Sequence, residues 1–134
     1  MGKIKIAVID SGFANEINDS RVVYRKQLFW DYSAEKVMAD SNTTDYNGHG
    51  TAVVETILSI CPMAEIYVIK VMGISGTTSR NMLMEAMKHA RHMDVQLIVL
   101  AASIVGCQDY SGIEEICSNI KTSKKILIAA VENG

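Results

Sequence analysis

Two polar residues matter most for what they could do together. Asp10 closes the apolar run Ile4-Lys5-Ile6-Ala7-Val8-Ile9, and His49 follows Asn47-Gly48 and opens an apolar stretch that begins at Ala52. A carboxylate can hold an imidazole in one tautomer and stabilise its cationic form. An imidazole held in that way can take the proton from a hydroxyl nucleophile. The acid and the base of a hydrolytic triad are therefore both available. A serine in a setting that would make it the nucleophile is not visible in the 134 residues. Ser11 sits beside Asp10 and suits the shaping of a turn. Gly76-Thr77-Thr78-Ser79 precedes a helical pattern, where Thr78 or Ser79 is better read as the N-cap.

Strands and helices that alternate with little waste must bring Asp10 and His49 together. Ile4–Ile9 reads as a continuous apolar strand, the type found in parallel sheets covered on both faces. Residues 13–47 are polar and irregular, with short strands around Val22–Tyr24 and Leu28–Tyr32. Ala52, Val53, Val54, Ile57 and Leu58 predict a buried helix from His49 to Ile60, stopped at Cys61-Pro62. A second core strand spans Glu65–Met72, and the loop Gly73–Thr78 leads to a helix from Ser79 to about Met93. A third strand spans Val95–Ala101, a helix follows over Ile113–Ile120, and a fourth strand over Lys125–Val131. Such repeated β-α-β units imply an α/β fold, a parallel sheet with right-handed crossovers. In such sheets chemistry gathers beyond the carboxyl ends of the strands. Asp10, Ser103 and Asn133 follow strands there, and the helix opened by His49 starts on the same rim.

Composition narrows the partners. A net charge of -2 and the absence of a long basic run give no footprint for nucleic acid. No apolar stretch reaches the roughly 18 residues that a membrane span needs. Ile4–Ile9 is too short for a signal-peptide core and runs directly into Asp10. Cys61, Cys107 and Cys117 are an odd set without CxxC spacing, which suits free thiols in a reducing, cytoplasmic compartment. One domain over residues 1–134 is the simplest organisation, since no repeat, linker or low-complexity segment interrupts the chain. Glu85, His89 and His92 share one helical face and could bind a metal. A solvated face opposite Met82, Met87 and Ala90 explains them better, so no metal ligand is assigned.

The motifs carry a family resemblance. Ile6-Ala7-Val8-Ile9-Asp10-Ser11-Gly12 resembles the aspartate motif of the subtilisin-like serine peptidases (subtilases), and Asp45-Tyr46-Asn47-Gly48-His49-Gly50-Thr51 resembles their histidine motif. Leu100-Ala101-Ala102-Ser103-Ile104-Val105-Gly106 is similar to the edge segment that pairs with extended substrate. Ile128-Ala129-Ala130-Val131-Glu132-Asn133-Gly134 is similar to the strand that ends in the oxyanion-hole asparagine. The resemblance covers essentially the whole chain, in the order aspartate then histidine. It implies the N-terminal part of a subtilisin-like three-layer fold, with a mostly parallel sheet and helices on both faces. It also implies roles: Asp10 as orienting acid, His49 as general base, Asn133 as oxyanion donor, and Ser103, Ile104, Val105 and Gly106 as the substrate-binding edge. No cofactor is required. Some relatives bind calcium, and Asp31, Asp40 and Asp45 are acidic candidates here, but their spacing defines no ligand set.

The departures from the family pattern are equally specific. Ala52-Val53-Val54-Glu55 stands where the family carries a second histidine and a run of small residues. Glu132 stands where a glycine normally precedes the asparagine, and a carboxylate there would oppose an oxyanion unless turned away. The nucleophile motif of the family lies well downstream of the asparagine. Two readings follow. Either the chain is part of a serine endopeptidase that acts on a peptide or protein substrate, with the serine supplied by a C-terminal half or partner chain, or it is a catalytically inactive peptide-binding or partner module.

Overall fold

The computed structural model describes residues 3–73, 77–101, 103–104 and 111–129. The first apolar run forms strand β1 (Lys5–Asp10), and its alternate side chains serve two cores. Ala7 and Ile9 enter one core and Ile6 and Val8 the other, as the two-residue period of an extended chain requires. A strand apolar on both faces belongs in the middle of a sheet. β1 accordingly pairs in parallel with β4 (Glu65–Lys70) on one side and β6 (Leu97–Leu100) on the other. β2 (Val22–Asp31) runs parallel to β4, β3 (Lys36–Asp40) folds back antiparallel on β2, and β8 (Ile126–Ala129) runs parallel to β6. The order is β3-β2-β4-β1-β6-β8. A separate parallel pair joins β5 (Thr77–Thr78) to β7 (Ser103–Ile104).

Helices lie on both faces of this sheet. On one face α2 (Arg80–Arg91) and α3 (Ser111–Thr122) bring Leu83, Ala86, Met87, Ala90, Ile116 and Ile120 against Ala7, Ile9, Ile69, Ile98 and Leu100. On the other, α1 (His49–Ile60) sets Val54 and Leu58 against Ile6, Val8, Ile66 and Val68. The expected three-layer α/β architecture with a mostly parallel sheet is therefore present. The α1 face continues past the helix over β6 and β8, where Leu97 pairs with Ile126 and Val99 with Ile128. There Ile126 and Ile128 stay 64% and 51% exposed.

The structure corrects the sequence reading between residues 13 and 47. One ten-residue strand, β2, replaces the two short ones, and β3 joins it as a hairpin. Arg25, Lys26 and Gln27 interrupt the apolar pattern yet pair with Val68, Ile69 and Lys70. The charge of Arg25 is used, because its guanidinium stacks 4.7 Å over the Phe13 ring and donates to the carbonyls of Ala14 and Ile17. Ser79 is the N-cap of α2, its hydroxyl accepting from the Met82 N–H at 3.1 Å.

Ile98 lies fully buried at the centre of the two-helix face. Ile98→Ala is expected to lower the unfolding free energy by about 2–5 kcal/mol, read as a fall in the urea midpoint at unchanged slope.

Candidate active site

Asp10 is the last residue of β1 and is fully buried. An ionised carboxylate out of water needs donors, and it has them. The Ser11 N–H donates to Oδ1 at 2.7 Å, and His49 Nδ1 stands 3.0 Å from both carboxylate oxygens. Main-chain pairing fixes the position of the acid, since the Asp10 carbonyl accepts from the Val71 N–H at 3.0 Å. The His49 side chain is 54% exposed. Its ring therefore meets the acid at Nδ1 and solvent at the other nitrogen. With the Nδ1–H given to the carboxylate, Nε2 of the neutral ring is a free acceptor.

His49 occupies this position because of how α1 begins. The first N–H groups of a helix have no partner within it, and an N-cap side chain would normally serve one of them. Here the N-cap is Gly48, held at φ 86°, with no side chain to offer. A residue with a Cβ rarely adopts that conformation. Three side chains from elsewhere take over. Asn47 accepts from the His49 N–H at 3.0 Å, Ser11 from the Gly50 N–H at 2.9 Å, and Asp45 from the Thr51 N–H at 2.9 Å. The Ser11 hydroxyl then donates to Asp45 at 2.7 Å, so the residue following the acid is tied to the helix carrying the base.

Asp45 is the knot of this arrangement. Beyond Ser11 and the Thr51 N–H, it accepts from the Thr51 hydroxyl at 2.5 Å and from the N–H groups of Gly48 and Asn47 at 2.8 and 3.2 Å. Burial pushes its carboxyl up, but the donors from Thr51, Ser11 and Gly48 outweigh that and hold it at about 2. From the other side Lys70, at the end of β4, donates to the Thr44 carbonyl and lies 4.6 Å over the Tyr46 ring. Burial lowers the Lys70 ammonium, while Asp45 and Asp40 pull it back up. Close packing completes the junction. A Cβ on Gly50 would stand 2.3 Å from the Gly12 carbonyl oxygen, which no side-chain rotation could relieve.

The other sequence candidates fall as follows. Ser11 is buried and committed to Asp45 and Gly50, which removes it as a nucleophile. Ser103 and Ile104 form β7, one edge of which is occupied by β5. Val105, Gly106 and Asn133 lie outside the described residues, as does Cys107. Cys61 and Cys117 are free thiols. His89 does not gather with Glu85 and His92 around a metal, and no group of three such ligands occurs among the described residues. Its Nε2 instead meets the Tyr24 hydroxyl at 2.8 Å, and burial followed by His92 lowers its basicity. Asp31 and Asp40 accept backbone N–H groups in turns. Sequence reasoning missed the joint service of Asp45, Ser11 and Lys70. The signal was a helix start at Asn-Gly without a capping side chain of its own, preceded by an acid.

Comparison with known proteins sets this geometry in context. A family model described as "Subtilase family" matches residues 2–134. "Subtilisin Savinase" of Lederbergia lenta is 29% identical over 136 residues, covering 95% of this chain and 46% of that protein. "Intracellular serine protease" of Paenibacillus polymyxa is 24% identical over 141 residues, covering 97% of this chain and 41% of that protein. Among solved structures, a cold adapted subtilisin-like serine proteinase superposes with a TM-score of 0.72 at 21% identity, over 97% of this chain and 46% of that one. The chain spans about half, or less, of the length of these relatives.

Two outcomes test the junction. Asp45→Asn is expected to cost about 1.5–3 kcal/mol at neutral pH, the range for hydrogen bonds to a charged group. Because the folded carboxyl is lowered from 3.8 to about 2, its stabilisation is complete above pH 3.8 and lost as pH falls through about 2. The gap between the two chains in chemical unfolding should therefore close over that window. Gly50→Ala should destabilise the fold, where alanine elsewhere in a helix gains about 0.5–1 kcal/mol; the thermal midpoint gives the sign.

Proposed function

The chain belongs to the subtilase family, and on that footing we propose that it supplies the acid and the base of a serine endopeptidase whose nucleophile lies on residues outside 1–134. The observation that carries this reading is the buried Asp10 carboxylate 3.0 Å from Nδ1 of a half-exposed His49. In the proposed reaction the serine hydroxyl attacks the scissile carbonyl as Nε2 takes its proton. Asp10 holds the resulting imidazolium, which returns the proton to the leaving amine. A water activated by the same nitrogen then hydrolyses the acyl-enzyme. Asn133 is assigned as a donor to the oxyanion. Substrate is assigned to the Ser103–Gly106 segment, extended and bonded through its backbone.

The open part of the α1 face supports a source for the serine. Ile126 and Ile128 are exposed on the side of the sheet that α1 covers elsewhere. An apolar face beside a strand edge calls for a cover. A helix laid there beside α1, with its N-terminus on the carboxyl rim, would bring its first residues toward Nε2. Among the described residues no helix is long and apolar enough to cross a membrane, and the free Cys61 and Cys117 suit a reducing compartment such as the cytoplasm.

The reading is tested by treating the native preparation with a fluorophosphonate serine probe and mapping the label by mass. Label on a serine outside residues 1–134 is the expected result. Label on a serine within them would overturn the proposed location of the nucleophile, and no label with peptide binding retained would replace the peptidase by a binding module. In the unlabelled, serine-bearing form, His49→Ala should lower kcat by about 10⁶ and Asp10→Ala by about 10⁴, the sizes known for the corresponding removals in subtilisin. Ile126→Lys should weaken association with the covering segment while leaving the circular dichroism of this chain unchanged.

A further inference from the structure

Among the described residues two charged side chains are buried, Asp10 and Lys70, and they end neighbouring strands at one register position. The acid–base chemistry uses Asp10. It has no use for Lys70, which at 4% exposure is as withdrawn from water as the apolar core. A buried ammonium is costly unless a carboxylate meets it. Lys70 nevertheless makes no ion pair among the described residues. Its stem passes Gly12, where a Cβ would stand 3.3 Å from the lysine Cδ. Its ammonium goes to the Thr44 carbonyl and the Tyr46 ring. Burial lowers the ammonium below its ordinary value of 10.5, against the pull of Asp45 and Asp40. Keeping this charge therefore costs the fold stability.

What the charge holds is the stretch of chain that starts α1. The Thr43 carbonyl accepts from the Phe13 N–H at 3.0 Å, Thr44 and Tyr46 meet Lys70, and Asp45 and Asn47 accept N–H groups of α1. The ties at 43, 45 and 47 run to the chain just after the acid or to the helix itself. The ties at 44 and 46 run to β4, a separate strand whose register against β1 is fixed. The groups around the ammonium are the carboxylates of Asp45 in the loop and Asp40 at the end of β3, and the Tyr46 ring. Asp10 ends β1 at the same level, paired with His49 of α1, and Gln27, the register neighbour on β2, is neutral. Without the charge, the carbonyl and the ring lose their common partner, three to five residues before the base.

We propose that Lys70 is a positioning residue for the acid–base pair: its ammonium holds the 43–46 loop where it sets the His49 ring on Asp10, a service to the reaction and not to stability. The consequence for turnover rests on the peptidase reading, whereas the effect on the ring is measurable without cleavage. Lys70→Met keeps the stem and removes the charge, and Lys70→Arg keeps a charge.

In the serine-bearing form, Lys70→Met should lower kcat by about 10–100-fold, the size of effect from a small misplacement of a catalytic group, with KM within about twofold. Its thermal midpoint at neutral pH should equal or exceed that of the parent chain, because an apolar side chain replaces a buried charge. Since the folded ammonium is lowered, the parent regains stability as pH rises through the folded value toward 10.5, and any gap should close there. The Nδ1–H resonance of His49 should broaden or vanish in Lys70→Met, and Lys70→Arg should restore resonance and kcat in part. Tyr46→Leu, which takes the ring from the same ammonium, should combine with Lys70→Met less than multiplicatively in kcat. An unchanged kcat and resonance, a kcat that falls only in step with the thermal midpoint, or a multiplicative double variant would overturn the proposal. Loss of the resonance in Lys70→Met of a preparation that takes no serine label would keep the positioning role and discard the peptidase. Serine labelling with the resonance indifferent to Lys70→Met would do the reverse.

Discussion

The start of helix α1 is the constraint on which the site depends. A helix must have its first N–H groups satisfied, and a glycine N-cap contributes nothing to that. Asn47, Ser11 and Asp45 each accept one of the first three. Because Ser11 follows the acid in sequence, capping the helix and aligning acid with base are the same event. Gly50 lets the helix meet the Gly12 backbone, and Gly12 lets the chain after the acid meet the Thr43 carbonyl, each at a distance that a methyl group would forbid. Geometry that could have been left to two side chains is thus built into the backbone.

The sheet supplies the frame for that junction. β1 is central and buried on both faces, which fixes its register against β4 and β6 and so fixes where Asp10 emerges. Lys70 leaves the neighbouring strand at the same level and braces the 43–46 loop from below. Acid, base and brace therefore all issue from one rim, where the ends of parallel strands leave room for a ligand. The same frame is asymmetric. Among the described residues two helices cover one face and one covers part of the other, where Ile126 and Ile128 are exposed near the edge strand.

Much of this was legible in the sequence because strong apolar periodicity leaves few choices. The span of α1 was read residue for residue, and β1, β4, α2 and β6 differ from expectation only at their ends. The pairing of Asp10 with His49 followed from strand-end topology and from motifs of the family. The β2–β3 hairpin was not legible, because Arg25, Lys26 and Gln27 break the alternation and Lys36–Asp40 is a half-exposed edge strand. Edge positions are satisfied by hydrogen bonding and leave little trace in hydropathy. The function of Asp45 was hidden for another reason. An acid ahead of a helix reads equally well as a loop residue or a metal ligand, and only three-dimensional closure shows five donors converging on it.

The central claim is that Asp10 holds His49 in the tautomer that leaves Nε2 free for a serine proton. Nitrogen-15 NMR of the histidine side chains tests it most directly. The account predicts that neutral His49 carries its proton on Nδ1, with a downfield Nδ1–H resonance that disappears in Asp10→Ala. A neutral ring protonated on Nε2, or a spectrum indifferent to the loss of Asp10, would contradict it.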